Sequence, residues 1–128
     1  LSARRLLGVG VDISDPQRLD KIRTRHDVMD RVMHASEKAV HNLTPMLASQ
    51  IWATKEAVAK TLGTGFWQAG VEWPDIRVHA DFNISFHGAA AQCAGDSIIE
   101  LSIEQMKGYV VVTALRFASS TVSPECSS

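Results

Sequence analysis

From Met46 to Leu62 no glycine or proline interrupts a run rich in Ala, Leu, Lys and Glu. In front stands Thr44-Pro45, an N-cap residue followed by a proline whose missing N–H costs nothing in a first helical turn. Behind stands Gly63, a natural helix stop. This punctuation predicts one long helix of roughly 25 Å. In a chain of 128 residues, a single element of that length spans a small domain. The other segments must therefore pack against it.

Those segments read as mixed α and β. Residues 6–13 alternate as a strand: Leu7, Val9, Val11 and Ile13 form an apolar set expected to face the core. Asp12 is expected on the other face, beside Gly8 and Gly10, which leave room near the backbone. Asp15-Pro16 repeats the cap-and-proline start. Leu19, Ile22, Val28, Met29, Val32 and Met33 then give helical segments with a break expected near Arg25, and a short helix is expected over residues 36–43. Residues 75–79 and 83–87 read as short strands, 88–95 as an Ala-rich helix, and 97–103 and 109–117 as the last two strands. The fold class expected is α+β, a small antiparallel sheet packed on one long helix and shorter helices. Residues 1–117 form one domain in this reading. Residues 118–128, Ser-rich with Pro124, form a disordered tail.

Charge narrows the function classes. Thirteen Lys and Arg stand against fourteen Asp and Glu, a net charge of −1. That excludes a domain that holds nucleic acid by bulk charge. No apolar run approaches the roughly 18 residues of a membrane span, and no leader segment is read at the start. Two cysteines, Cys93 and Cys126, are too few for a disulfide framework, and a cytoplasmic setting is expected. The charge is uneven: residues 1–64 carry 10 basic and 7 acidic side chains, residues 65–128 carry 3 and 7. Arg18, Lys21, Arg23, Arg25 and Arg31 cluster, which reads either as a solvated helix face or as a dock for an acidic partner.

Two carboxylates could do chemistry together. Asp12 on a strand and Glu56 on the long helix could converge on a hard cation, and Mg²⁺ takes one or two carboxylates and fills its shell with water and phosphate oxygens. Lys60 lies one helical turn past Glu56, where it could orient a nucleophile or neutralise phosphate. The residues alone leave a plainer reading open: Glu56 and Lys60 as a surface ion pair, Asp12 as a strand end. The five histidines show no zinc-ligand spacing. Trp52, Trp67 and Trp73 read as core or interface residues.

The segments Gly8-Val9-Gly10-Val11-Asp12-Ile13 and Trp52-Ala53-Thr54-Lys55-Glu56-Ala57-Val58-Ala59-Lys60, leading into Gly63-Thr64-Gly65, resemble the two signature motifs of the 4′-phosphopantetheinyl transferases. Spacing and length resemble the short, holo-acyl-carrier-protein-synthase type. The resemblance covers roughly residues 6–117. It implies transfer of 4′-phosphopantetheine from coenzyme A to a serine of an apo acyl carrier protein, in fatty-acid or polyketide synthesis, with release of adenosine 3′,5′-bisphosphate. It implies Mg²⁺ on Asp12 and Glu56, with Lys60 and Glu56 catalytic. It implies coenzyme A along Gly63, Thr64, Gly65 and Ser102. It also implies carrier-protein contacts by Arg18 and Arg25, and a homotrimer with sites at subunit boundaries.

Two positions depart from that pattern. Gln105 stands where the family commonly has a catalytic His; an amide can donate to a phosphate but carries no charge and moves no proton. Lower activity is therefore expected, and the alternative reading is a member that binds coenzyme A or carrier protein with little turnover. Ile51 stands where short-type members often have Arg, so one phosphate or carrier contact is expected to be missing. The Gly-Lys-Pro turn that often precedes the strand at 83–87 is also absent.

Overall fold

A computed structural model describes residues 4–19, 21, 28–63 and 70–119. Strand β1 (Leu6–Ser14) is followed by a helical turn at residues 16–19. Three helices come next: α1 (Val28–Val32), α2 (Ala35–Val40) and α3 (Pro45–Thr61). A 3-10 turn (Trp73–Asp75) leads into the hairpin of β2 (Ile76–Val78) and β3 (Ile84–Phe86). Helix α4 (Gly88–Ala94) and the long hairpin of β4 (Ile98–Met106) and β5 (Tyr109–Phe117) complete the fold. The main sheet is antiparallel in the order β1-β5-β4, with β2-β3 forming a second small sheet.

Helix α3 starts where the sequence places it. Thr44 caps it, its hydroxyl accepting from Leu47 N at 3.1 Å, and Pro45 fills the first turn. It ends with Leu62 as C-cap and Gly63 at φ 99°, a left-handed value that favours glycine. The helix lies across the main sheet, and Ala53, Ala57, Val58 and Leu62 meet Val110, Val112 and Ala114 of β5 in the core.

The sheet presents to that helix the face of β1 opposite to the one expected. Gly8, Gly10, Asp12 and Ser14 pair with Arg116, Ala114, Val112 and Val110, all buried on the helix side. Val9, Val11 and Ile13, expected in the core, are 51%, 46% and 63% exposed. The reason is the closeness of the helix backbone. A Cβ on Gly8 would stand 2.3 Å from Thr61 O, and one on Gly10 only 1.9 Å from Ala57 O. Only glycine allows this approach, so the glycine row faces inward and the valine row outward. Asp12 shares the glycine row and so faces the helix, not the open side.

A buried ion pair ties the smaller helices to α3. Lys55 and Glu37 are 0% and 2% exposed. Lys55 Nζ donates to Glu37 Oε1 (2.8 Å) and to three carbonyls: Val32 (2.7 Å), Ile76 (2.6 Å) and Trp73 (3.1 Å). Glu37 also accepts from His34 N and Val78 N, both at 2.9 Å. Every charge is met, as burial demands. The rings of Trp52 and Trp73 pack with centroids 5.4 Å apart, in the role expected of them. Trp67 lies outside the described residues. Cys93 on α4 is disulfide-bonded, so the cysteine count does not by itself indicate a reducing setting.

Candidate functional site

Strand β1 and helix α3 run in opposite directions. Gly8 lies against Thr61 and Gly10 against Ala57, while the Ser49 hydroxyl donates to Ser14 Oγ at 2.6 Å. Asp12 falls between the last two levels, beside the middle of the helix. This register brings it to Glu56 and Lys60. Lys60 Nζ donates to Val11 O at 2.7 Å and reaches Asp12 Oδ1 at 3.3 Å. The ion pair formed is thus Lys60 with Asp12 across the strand, not Lys60 with Glu56 along the helix.

The electrostatics are unbalanced. Burial pushes the Asp12 carboxyl above its usual value, and Lys60 only partly opposes this. Glu56 is also pushed up, first by burial, then by the Asp12 charge, with Lys60 opposing. Two half-buried carboxylates share one ammonium, which itself is half exposed. A divalent cation would remove the surplus negative charge. The donor set fits Mg²⁺, which needs few protein ligands and takes the rest from water and phosphate. Among the described residues no cluster of three or more His, Cys, Asp or Glu offers a richer metal site.

The other expected residues scatter around this centre. Gly63 ends α3 one turn beyond Lys60. Thr64, Gly65 and Arg25 lie outside the described residues. Arg18 is exposed and lines an open groove of about 420 Å³ with Ile13, Ser14, Leu19, Trp52 and Tyr109. Ser102 pairs with Thr113 on the outward face of the sheet, whereas Gln105 pairs with Val110 on the helix side. Within one chain those two side chains point in opposite directions. Ile51 is fully buried among Leu19, Met29, Val32 and Met33, so this position supplies core packing here.

Three structural charges escaped the sequence reading: Lys55, Glu37 and Arg116. Arg116 is 1% exposed, and its Nε donates to Thr61 O at 3.0 Å. For Lys55 a signal was present. It sits in the apolar stripe Ile51, Val58, Leu62, where a lysine demands a buried acid.

The sequence pattern of the 4′-phosphopantetheinyl transferase superfamily matches residues 8–114. The holo-[acyl-carrier-protein] synthase of Photobacterium profundum is 31% identical over 122 residues, spanning 86% of this chain and 96% of its own. That of Magnetococcus marinus is 32% identical over 127 residues, spanning 86% and 91%. Among solved structures, the holo-ACP-synthase of Plasmodium yoelii superposes with a TM-score of 0.73 at 26% identity, covering 93% of this chain and all of that one. The Helicobacter pylori holo-[acyl-carrier-protein] synthase in complex with coenzyme A gives a TM-score of 0.69 at 19% identity over 84% of this chain and 98% of that one, a likeness of fold.

Proposed function

The chain belongs to the 4′-phosphopantetheinyl transferase superfamily, in its short holo-[acyl-carrier-protein] synthase type, and we propose that the Asp12–Glu56–Lys60 centre carries its transfer of 4′-phosphopantetheine from coenzyme A to an apo acyl carrier protein. In that reaction a serine oxygen of the carrier attacks the pyrophosphate phosphorus that bears the pantetheine arm. The bond to the bridging oxygen breaks, and adenosine 3′,5′-bisphosphate leaves with it. The serine proton passes to a base or to water. The observation that carries this assignment is the packing of β1 on α3, which sets two carboxylates and one ammonium together at the rim of the sheet.

Each side chain has a role that its position supports. Asp12 and Glu56 would hold Mg²⁺, which when bound neutralises the pyrophosphate charge. Lys60, anchored by Val11 O and half exposed, faces incoming phosphate and can steer the serine hydroxyl. Gly63, with Thr64 and Gly65 beyond it, would line the coenzyme A path past the helix end. Arg18, at the rim of its groove, would meet an acidic carrier helix. The cytoplasm is the compartment proposed, and there the Cys93 disulfide would be an exception to the usual reduced state of thiols.

A homotrimer is proposed for two reasons. The outward valine row of β1 leaves Val9, Val11 and Ile13 exposed side by side, an apolar patch that a second copy would cover. Ser102 looks out from that same sheet face while Gln105 looks inward. One ligand reaches both kinds of residue only if it lies between subunits. Sedimentation that finds only monomer at micromolar concentration would refute the trimer.

The transfer is tested by intact-protein mass spectrometry of several apo carrier proteins incubated with the chain, coenzyme A and Mg²⁺. A gain of one phosphopantetheine mass, absent with chelator, is expected. No gain on any carrier while coenzyme A still binds would favour the binding-only reading that Gln105 motivates. Gln105→His should then restore turnover.

A further inference from the structure

The β2–β3 hairpin carries a cluster that the transfer chemistry leaves unused. The two strands pair with Arg77 opposite Ser85. His79 and His87 each lie one residue past the end of β2 and β3, and both rings turn to Ser85. The Ser85 hydroxyl lies 2.7 Å from His79 Nε2 and 2.8 Å from His87 Nε2. A serine hydroxyl has one proton, so with both rings neutral it donates to one ring and accepts from the other. Arg77 Nε donates to Pro74 O at 3.2 Å, which anchors the guanidinium at the hairpin.

Arg77 is a permanent positive charge beside the cluster. His87 is pushed below the usual imidazole value by burial, then by Arg77, His79 and His34, with Asp75 opposing. The groups facing it are thus Arg77 of β2, His79 just after that strand, His34 ahead of α2, and Asp75 from the 3-10 turn. The imidazole N–H groups, the serine O–H and the Arg77 guanidinium are all donors, and the one carboxylate nearby, Asp75, already accepts from Glu72 N at 3.2 Å, so the cluster offers its free valences to an anion. His79 is exposed, and Ser85 and His87 are half-buried, so solvent species reach the cluster.

We propose that His79, Ser85 and His87, with Arg77 beside them, form a binding site for a tetrahedral oxyanion of the phosphate class. The anion accepts from both Nε2–H groups and from the serine O–H. Both rings can donate from Nε2 as neutral tautomers, and a bound anion offsets the positive neighbours that oppose the charged form of His87, so that ring takes up a proton more readily when the anion is bound. Affinity therefore rises as pH falls, by up to about tenfold per pH unit for one proton. Inorganic phosphate and a phosphate group of coenzyme A share this chemistry. The site stands independently of the transferase assignment, since none of its residues belongs to the Asp12–Glu56–Lys60 centre.

The test is ¹⁵N NMR of the histidine rings during titration with inorganic phosphate, on either side of neutral pH, with chloride at matched ionic strength as control. Saturable shifts of His79 and His87 with phosphate alone, tighter at the lower pH, are expected. Shifts that chloride reproduces, or none at all, overturn the proposal. Arg77→Gln and His87→Gln should each weaken phosphate about tenfold, the worth of one charge-assisted hydrogen bond. The buried ring of His41, whose Nε2 bonds Val78 O at 2.8 Å, reports in the same spectra that these variants are folded. Undiminished phosphate binding by folded variants also overturns the proposal. In a final arm, coenzyme A that displaces phosphate assigns the site to a substrate phosphate. Saturable phosphate binding without displacement assigns it to the free anion. Transfer activity is read separately by mass spectrometry, so failure of one assignment leaves the other intact.

Discussion

Lys55 and Glu56 are neighbours on one helix, and their charges meet opposite surroundings. Lys55 turns into the core, where a carboxylate and three carbonyls surround its ammonium. Glu56 turns to the β1 side, where burial and a second carboxylate both work against its charge. Burial works against the first charge too, with Glu37 opposing, but its hydrogen bonds are all supplied within the chain, and it holds α1, α2, the 3-10 turn and β2 to α3. The second is left in want of a positive partner that the chain only half supplies. A fully met buried charge is a structural part; an unmet half-buried one marks where a ligand is expected.

The sharpest way to break this contrast is to remove Lys55. Lys55→Met should destabilise the fold by about 3–5 kcal/mol, because Glu37 is left buried and unpaired. Denaturant unfolding measures this, and adding Glu37→Leu should recover much of the loss. A Lys55→Met chain as stable as the parent would end the structural reading of that pair.

The reverse behaviour is expected across the helix. Asp12→Asn or Glu56→Gln should lower transfer by more than about a hundredfold, beyond the usual effect of losing a mere supporting group around a metal. The metal-free melting temperature should hold or rise in both variants, since each removes a like-charge repulsion. Calorimetry with and without Mg²⁺ should find the metal-induced stabilisation gone.

A gentler probe is pH. Folding raises the carboxyl values of Asp12 and Glu56, so the folded state holds their protons more tightly than the unfolded chain. Their stabilising contribution is present below the ordinary carboxylate range and is lost as pH rises through the raised values. The metal-free protein should therefore gain stability from these groups on mild acidification, while Mg²⁺ affinity falls over the same window. The Asp12→Asn/Glu56→Gln double variant should flatten both trends. The smallest effect is expected at Arg18, away from both pairs. Arg18→Ala should slow carrier-protein use by less than about tenfold, and the difference should fade at high salt while coenzyme A binding is unchanged.

Much of this was legible from local sequence. Thr44-Pro45 and Gly63 bracket α3 because caps act on the nearest turn. The β-branched run at 109–117 became β5 with the bounds expected. The residues of the centre were legible too, Asp12 and Glu56 by chemistry and both motifs by resemblance. Their orientation was misread, because alternation tells two faces of a strand apart without saying which one is covered. Gly8 and Gly10 held the answer: a bare backbone invites a close neighbour, and the helix came to that side. Lys60 was read against Glu56 by spacing, yet Asp12 from a distant strand lies within its reach.

By itself the sequence determined the extents of the long helix and the last strand, the near-neutral charge and the two motifs. These rest on interactions between residues a few positions apart. Only the tertiary structure decided which face of β1 is inside, that Lys55 and Glu37 satisfy each other, and that His79 and His87 meet on Ser85. Those outcomes depend on which surfaces pack closely enough to exclude water, and that is settled between segments far apart in the chain.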